Sequence, residues 1–186
     1  MAYTAPVRDF TFILNEVLEI DRHANQPGFE DVSADLVGQI LEEGAKFAEE
    51  VIAPINRVGD QEGCKLSDGG VVTGPTGWKE AYQQMVEAGW PALSAHTEFG
   101  GQGMPAVIGM AFGQMTAAAS AAFSMYPGLT AGAYAGIHAN GSEELKAKYL
   151  PKMATGEWGG TMNLTEPQCG TDLGMVRTKA VRNDDG

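Results

Sequence analysis

The chain has 186 residues, 44% of them apolar and 19% charged, which is enough material for one domain or a domain and a part and excludes a disordered tail. Its 24 acidic and 12 basic residues give a net charge of −12, which argues against a nucleic-acid partner, since phosphates select a basic face, and against anionic membrane surfaces. Glycine is in excess at 25 residues, well above the usual share of about 7%, with no collagen period and no low-complexity block.

In chain order, the first predicted element is an amphipathic helix that buries Phe10, Ile13, Leu14, Val17 and Leu18. Arg8, Asp9, Glu16 and Glu19 interrupt its apolar runs, so no signal-peptide core is read there. Two cysteines, Cys64 and Cys169, make neither a disulfide framework nor a zinc site, and a reduced, cytoplasmic compartment is expected. After a loop through Asn25-Gln26-Pro27-Gly28, Ser33 caps a second helix. Its stripe is Leu36, Val37, Ile40, Leu41, Phe47, Ala48, Val51 and Ile52, with Glu42, Glu43, Glu49 and Glu50 facing water. Pro54 is expected to end or kink it.

Six glycines between 59 and 77 read as a loop with a short hairpin through Asp68-Gly69. A third helix, with Thr76 as N-cap, runs to Ala88, buries Trp78, Tyr82, Met85 and Val86, and stops at a left-handed Gly89. The glycine loop Glu98–Gly103 precedes a fourth helix from Pro105 to about Met125, broken at Pro127-Gly128. No charged residue lies between Phe99 and Ser142, which predicts a helix surrounded by protein, with Met104, Met110 and Tyr126 read as core. Polar and helix-breaking residues there, such as Gln102, Gln114 and Pro127, exclude a membrane span. A small-residue helix follows to about Asn140. Ser142 then caps a short helix with Glu143 and Glu144 in its first turn and Lys146 and Lys148 later, and Pro151 and Gly156 end the helical region.

After Gly156 the texture changes. Trp158–Leu164 reads as extended, Thr165–Leu173 as a polar turn, and Met175–Arg182 as an alternating strand that runs into an Asp185-Gly186 hairpin signal. Two strands alone bury no sheet face, so the expectation is a chain that ends inside a β-domain. The alternative is a small flap packed on the helices.

No phosphate-binding glycine motif of the P-loop or dinucleotide type is present. Gly100-Gly101-Gln102-Gly103 has N–H groups to offer an anion ahead of a helix, against the weightier reading of a plain tight loop. His23, His96 and His138 share no metal spacing and read as surface or structural residues, so no metal is expected. The segment Thr161–Asp172 gathers hydroxyls, a proline and a glycine into a polar loop. Such a loop suits the edge of a heterocycle, and equally a self-capped β-turn.

Leu164-Thr165-Glu166-Pro167, then after two residues Gly170, a hydroxyl residue and Asp172, resembles the signature of the acyl-CoA dehydrogenase flavoproteins. Lys179-Ala180, Tyr149-Leu150-Pro151-Lys152-Met153, Gly156-Glu157 and the 98–103 glycine loop match the same family in order. Tyr3–Glu19 and Val58–Cys64 look like its extended subgroup, which includes 3-methylmercaptopropionyl-CoA dehydrogenases. The resemblance implies a mainly α fold: an N-terminal helical domain over 1–156, then the first strands of an incomplete middle β-domain over 157–186. It implies FAD as cofactor, an acyl-CoA substrate, an electron-transferring flavoprotein as acceptor, and a homo-oligomer. By the same resemblance Met162, Leu164, Thr165, Gly170 and Thr171 border the flavin, Thr171 also meets the thioester, and Cys169 has no catalytic role. The family's catalytic glutamate lies beyond residue 186 and is not Glu166. The competing expectation is a non-enzymatic helical interaction module. Family members that bind nucleic acid are disfavoured by the acidic balance.

Overall fold

In the computed structural model, residues 3–184 are described, and they form a helical bundle with one small hairpin. Its elements are α1 (Val7–Thr11), α2 (Ala34–Phe47), α3 (Ala53–Glu62), α4 (Trp78–Glu87), α5 (Ala106–Ala119), α6 (Ala121–Asn140) and α7 (Glu143–Ala154). Strands β1 (Lys65–Leu66) and β2 (Val72–Thr73) pair antiparallel, with Lys65 opposite Thr73, as the Asp68-Gly69 signal predicts.

Helix α2 starts where Ser33 accepts from the Leu36 N–H at 3.2 Å. It does not end at Pro54. A π turn over Ala48–Ile52 carries α2 straight into α3. Pro54 has no N–H to give to the Glu50 carbonyl, and the wider i to i+5 turn beside it lets the rod continue. One expected solvent-facing acid is also placed differently: Glu49 is half-buried and accepts from the Ala5 N–H at 2.7 Å.

The first helix is broken into α1 and a π turn over Phe12–Val17. That turn slips the 3.6-residue stripe, so only Leu14 of the expected face is buried, while Ile13, Val17 and Leu18 are exposed.

The core lies between α2 and α5. Val37, Leu41, Ile52, Ile108 and Met115 are all essentially inaccessible. Gly44 lets the two helices approach: a Cβ there would lie 3.1 Å from both Met115 Cε and Phe112 Cδ2. On this seam Phe112 stacks on Trp90 with centroids 4.1 Å apart.

Helix α4 begins at Trp78 after a left-handed Gly77, one residue later than a Thr76 cap requires, and stops before Gly89 at φ 74° as expected. Trp78 Nε1 donates to the Ile55 carbonyl at 3.2 Å, and its ring meets Phe123 of α6 edge-on. The chain breaks between α5 and α6 at Ser120, whose hydroxyl accepts from Phe123 N, and α6 runs through Pro127 to Asn140. A cap with extended dihedrals interrupts a helix more completely than one missing N–H does. Likewise α7, capped by Ser142, runs through Pro151 to Ala154.

Beyond Gly156 no strand forms among the described residues. There is one isolated bridge, Glu166 with Cys169, and a 3₁₀ turn at Leu173–Met175. Ladders need a paired edge, and the expected strands at 158–164 and 175–182 have none. The hairpin signal at 185–186 lies outside the described residues.

Gly59 permits the Trp78 contact, since an added Cβ would sit 2.4 Å from its indole Cζ2. Gly59→Ala is expected to cost about 1–3 kcal/mol, as for other overpacked sites, read as a lower urea midpoint at unchanged m-value. An unaltered midpoint would show that this seam yields freely.

Candidate functional site

The break at Ser120 leaves α5 and α6 as two walls of a groove. The cavity measures about 670 Å³, within the range of small-ligand sites. It is floored by small residues, Gly109, Gly113 and Ala117 from α5 and Gly128 and Ala131 from α6, with Met110 at its side. Neither Gly113 nor Gly128 has any atom within 4 Å of where a Cβ would stand. The uncharged stretch is therefore not enclosed by protein: Met110 and Met125 are each 64% exposed and Tyr126 is half-exposed. Absence of charge marks this groove rather than a buried helix.

Two of its hydroxyls are used internally. Thr116 Oγ1 donates to the carbonyls of Phe112 and Gly113 at 3.2 and 3.1 Å. Thr130 Oγ1 donates to the Tyr126 carbonyl at 3.4 Å and accepts from Gly160 N–H at 3.1 Å. A third, Ser124 Oγ, is buried and meets no partner among the described residues.

The segment that leaves α7 is fastened to the outer side of this groove. Tyr82 donates its hydroxyl to the Gly156 carbonyl at 3.0 Å, and burial with Tyr126 alongside pushes that phenol up, keeping it protonated. Gly160 lies so close to α6 that a Cβ would fall 2.5 Å from Ala133 Cβ. The polar loop 161–172 thus begins at the α6 wall.

Met162, Leu164, Thr165, Gly170 and Thr171 are all exposed on that loop. Their backbone N–H groups engage no acceptor among the described residues, so the loop presents free donors and two threonine hydroxyls. That donor set fits the carbonyls and ring nitrogens of a flavin edge. Cys169 is buried, with its N–H and carbonyl both paired to Glu166 across the tight turn.

Glu166 holds the loop together. Its carboxylate accepts from Arg177 N–H at 3.0 Å, from Thr178 N–H at 2.8 Å and from the Gln168 amide. Bonds from Thr178, then Arg177, hold its carboxyl down to about 2 from the usual 4.5. The sequence locates this glutamate on a turn and carries no signal that it closes an 11-residue loop.

The glycine loop has no N–H groups to spare. Those of Gly101, Gln102, Gly103 and Met104 go to the carbonyls of His96, Ala92, Ala95 and Leu93. Gly101 sits so near Ala95 that a Cβ would collide with its carbonyl at 1.9 Å. The tight-loop reading holds, and the anion reading falls.

Sequence spacing also misses a histidine stack at one end of the groove. His96 and His138 lie face to face with centroids 3.7 Å apart, beside Tyr134 and edge-on to Phe99. Residues 42 apart in sequence give no local signal of this. Among the described residues no cluster of His, Cys, Asp or Glu suits a metal, and no helix is long and apolar enough to cross a membrane.

Residues 38–157, well over half the chain, match the model of the acyl-CoA dehydrogenase N-terminal domain. The chain belongs to the acyl-CoA dehydrogenase family. It is 43% identical to 3-methylmercaptopropionyl-CoA dehydrogenase of Ruegeria pomeroyi over all of its own length and 32% of that protein. It is 37% identical to a butyryl-CoA dehydrogenase of Syntrophomonas wolfei over 98% of its length and 30% of that one. It is also similar to a solved acyl-CoA dehydrogenase complexed with FAD from Bacillus anthracis, at TM-score 0.61 and 25% identity, covering 77% of this chain and 23% of the other. A chain described with the electron transferring flavoprotein of Acidaminococcus fermentans aligns at TM-score 0.65 and 25% identity, over 83% of this chain and 38% of that one. The chain spans about a third of the length of the curated relatives it matches.

A carboxyl depressed to about 2 contributes stability that is full above the usual 4.5 and is lost as pH falls through about 2. Glu166→Ala at neutral pH should mimic that acid state, raising hydrogen exchange at the Arg177 and Thr178 amides about tenfold or more. Unchanged exchange would refute the clamp. Burial, and secondly His138, push His96 below the usual 6.5. The folded chain then binds fewer protons than the unfolded one below that value, so stability falls as pH drops from 7 to 5. His96→Phe keeps a ring in the stack and should flatten that part of the Tm profile. An identical slope in the variant would count against it.

Proposed function

We propose that this chain is the helical, acyl-binding portion of an FAD-dependent acyl-CoA dehydrogenase that converts an acyl thioester to the trans-2-enoyl-CoA. The observation that carries the reading is the open apolar groove between α5 and α6, beginning beside a loop rich in free N–H donors. An acyl chain fits the groove by its apolar floor, and burial of each methylene there contributes about 0.8 kcal/mol.

FAD, when bound, supplies the hydride acceptor at N5. Met162, Leu164, Thr165, Gly170 and Thr171 would border it through backbone N–H groups, with the Thr165 hydroxyl on the ring and Thr171 between ring and thioester. Glu166 holds those residues in register. Its three donors and its carboxyl at about 2 make it a poor base at neutral pH. The base that takes the α-proton is therefore assigned to a glutamate outside these residues, consistent with relatives about three times as long. Residues 1–156 and 157–186 are assigned to the helical domain and the start of a middle β-domain. The full protein is proposed to be a cytoplasmic homo-oligomer in fatty acid metabolism that passes electrons to an electron-transferring flavoprotein. The free Cys64 and Cys169 support a reduced compartment.

The 186-residue chain alone is expected to give no dye reduction with any acyl-CoA. In the longer protein, Gly113→Phe should raise KM for acyl chains that reach the groove floor while the flavin absorbance stays unchanged. Turnover by the isolated chain, or an unaltered KM in the variant, would overturn the reading.

A further inference from the structure

We infer that Ser124 is a specificity-determining residue, whose hydroxyl donates to a hydrogen-bond acceptor carried within the acyl chain, an ether oxygen or a thioether sulfur. The inference rests on the groove between α5 and α6 being the acyl site.

Ser124 departs from the usual behaviour of a helical serine. Serine and threonine inside helices ordinarily bond back to a carbonyl one turn earlier. The two other hydroxyls of this wall do so: Thr116 bonds to Phe112 and Gly113, and Thr130 to Tyr126. Ser124 lines the same cavity, and its oxygen is buried without a partner among the described residues. The carbonyl it would use, that of Ser120, takes only the Ser124 backbone N–H, at 3.1 Å.

A buried polar atom without a partner is costly, and native interiors hold few of them. An acyl chain that brings an acceptor to this wall of the groove relieves that cost. No side-chain or backbone acceptor among the described residues takes the Ser124 proton. An all-carbon chain leaves the hydroxyl stranded. A chain of the same shape with one methylene replaced by oxygen or sulfur does not. Sulfur is the weaker acceptor of the two, so the oxygen isostere should gain more.

The test uses the full-length flavoprotein that carries this chain. Straight-chain acyl-CoA substrates are paired with isosteres that carry oxygen or sulfur at the fourth, fifth or sixth atom. The readout is the ratio of kcat/KM, heteroatom over all-carbon, with KM and kcat separated. The wild type is expected to favour the best-placed heteroatom isostere by about three- to tenfold, the range of one net hydrogen bond. Ser124→Ala should bring that ratio to about one through KM, and Ser124→Thr, which keeps a hydroxyl, should restore it. A ratio near one in the wild type would overturn the inference, as would a ratio that Ser124→Ala leaves within about twofold of it. Gly113→Phe separates the two layers. If it impairs neither substrate of a pair, the acyl groove itself is refuted. If it impairs both while Ser124→Ala does nothing, only the role of Ser124 falls.

Discussion

The close approach of α2 and α5 at Gly44 is the constraint on which the remaining structure depends. With no side chain there, Phe112 and Met115 reach the surface of α2, and Phe112 lies flat on Trp90. One face of α5 is thereby committed to the core, through Ile108, Ala111, Met115 and Ala119. The opposite face, Gly109, Met110, Gly113 and Ala117, is left outside it. An uncharged helix so divided has one side that packs and one that does not, and the second becomes a groove wall once Ser120 turns the chain into α6. The groove is thus a by-product of how the core is closed.

The polar loop is organised on a different principle. It buries little and pairs with no sheet among the described residues, yet a single carboxylate gathers Gln168, Arg177 and Thr178 around the Glu166–Cys169 turn. Charge-assisted bonds of this kind hold shape where apolar area is lacking. They leave the neighbouring N–H groups turned outward. The helical part supplies an apolar surface and the loop a set of donors, and the 156–160 segment joins them, held at Tyr82, Thr130, Tyr149 and Lys152.

Much of the fold was legible because its determinants are local. Ser33, Ser142 and Gly89 act as read, and the Asp68-Gly69 hairpin forms. The readings that failed are those where a neighbour overrides the local rule. Pro54 and Pro127 lie inside continuous helices because one missing N–H is absorbed by a π turn or tolerated. The first stripe fails because a π turn changes its phase. The 158–182 strands are absent because a ladder is a property of two segments. The loop residues assigned to the proposed site come from a family signature, whereas the groove, the His96–His138 stack and the unpartnered Ser124 arise from tertiary placement alone.

The two open glycines, Gly113 and Gly128, bear on how such a protein can change. Their missing Cβ atoms point to empty space in the groove and touch nothing that closes the core. Gly44 and Gly59, by contrast, are locked against aromatic neighbours. Capacity and stability are therefore encoded at separate positions. A lineage can shorten or reshape the pocket one side chain at a time at Gly113 and Gly128 while the bundle keeps its folding free energy, and the same helical frame can hold occupants of different sizes.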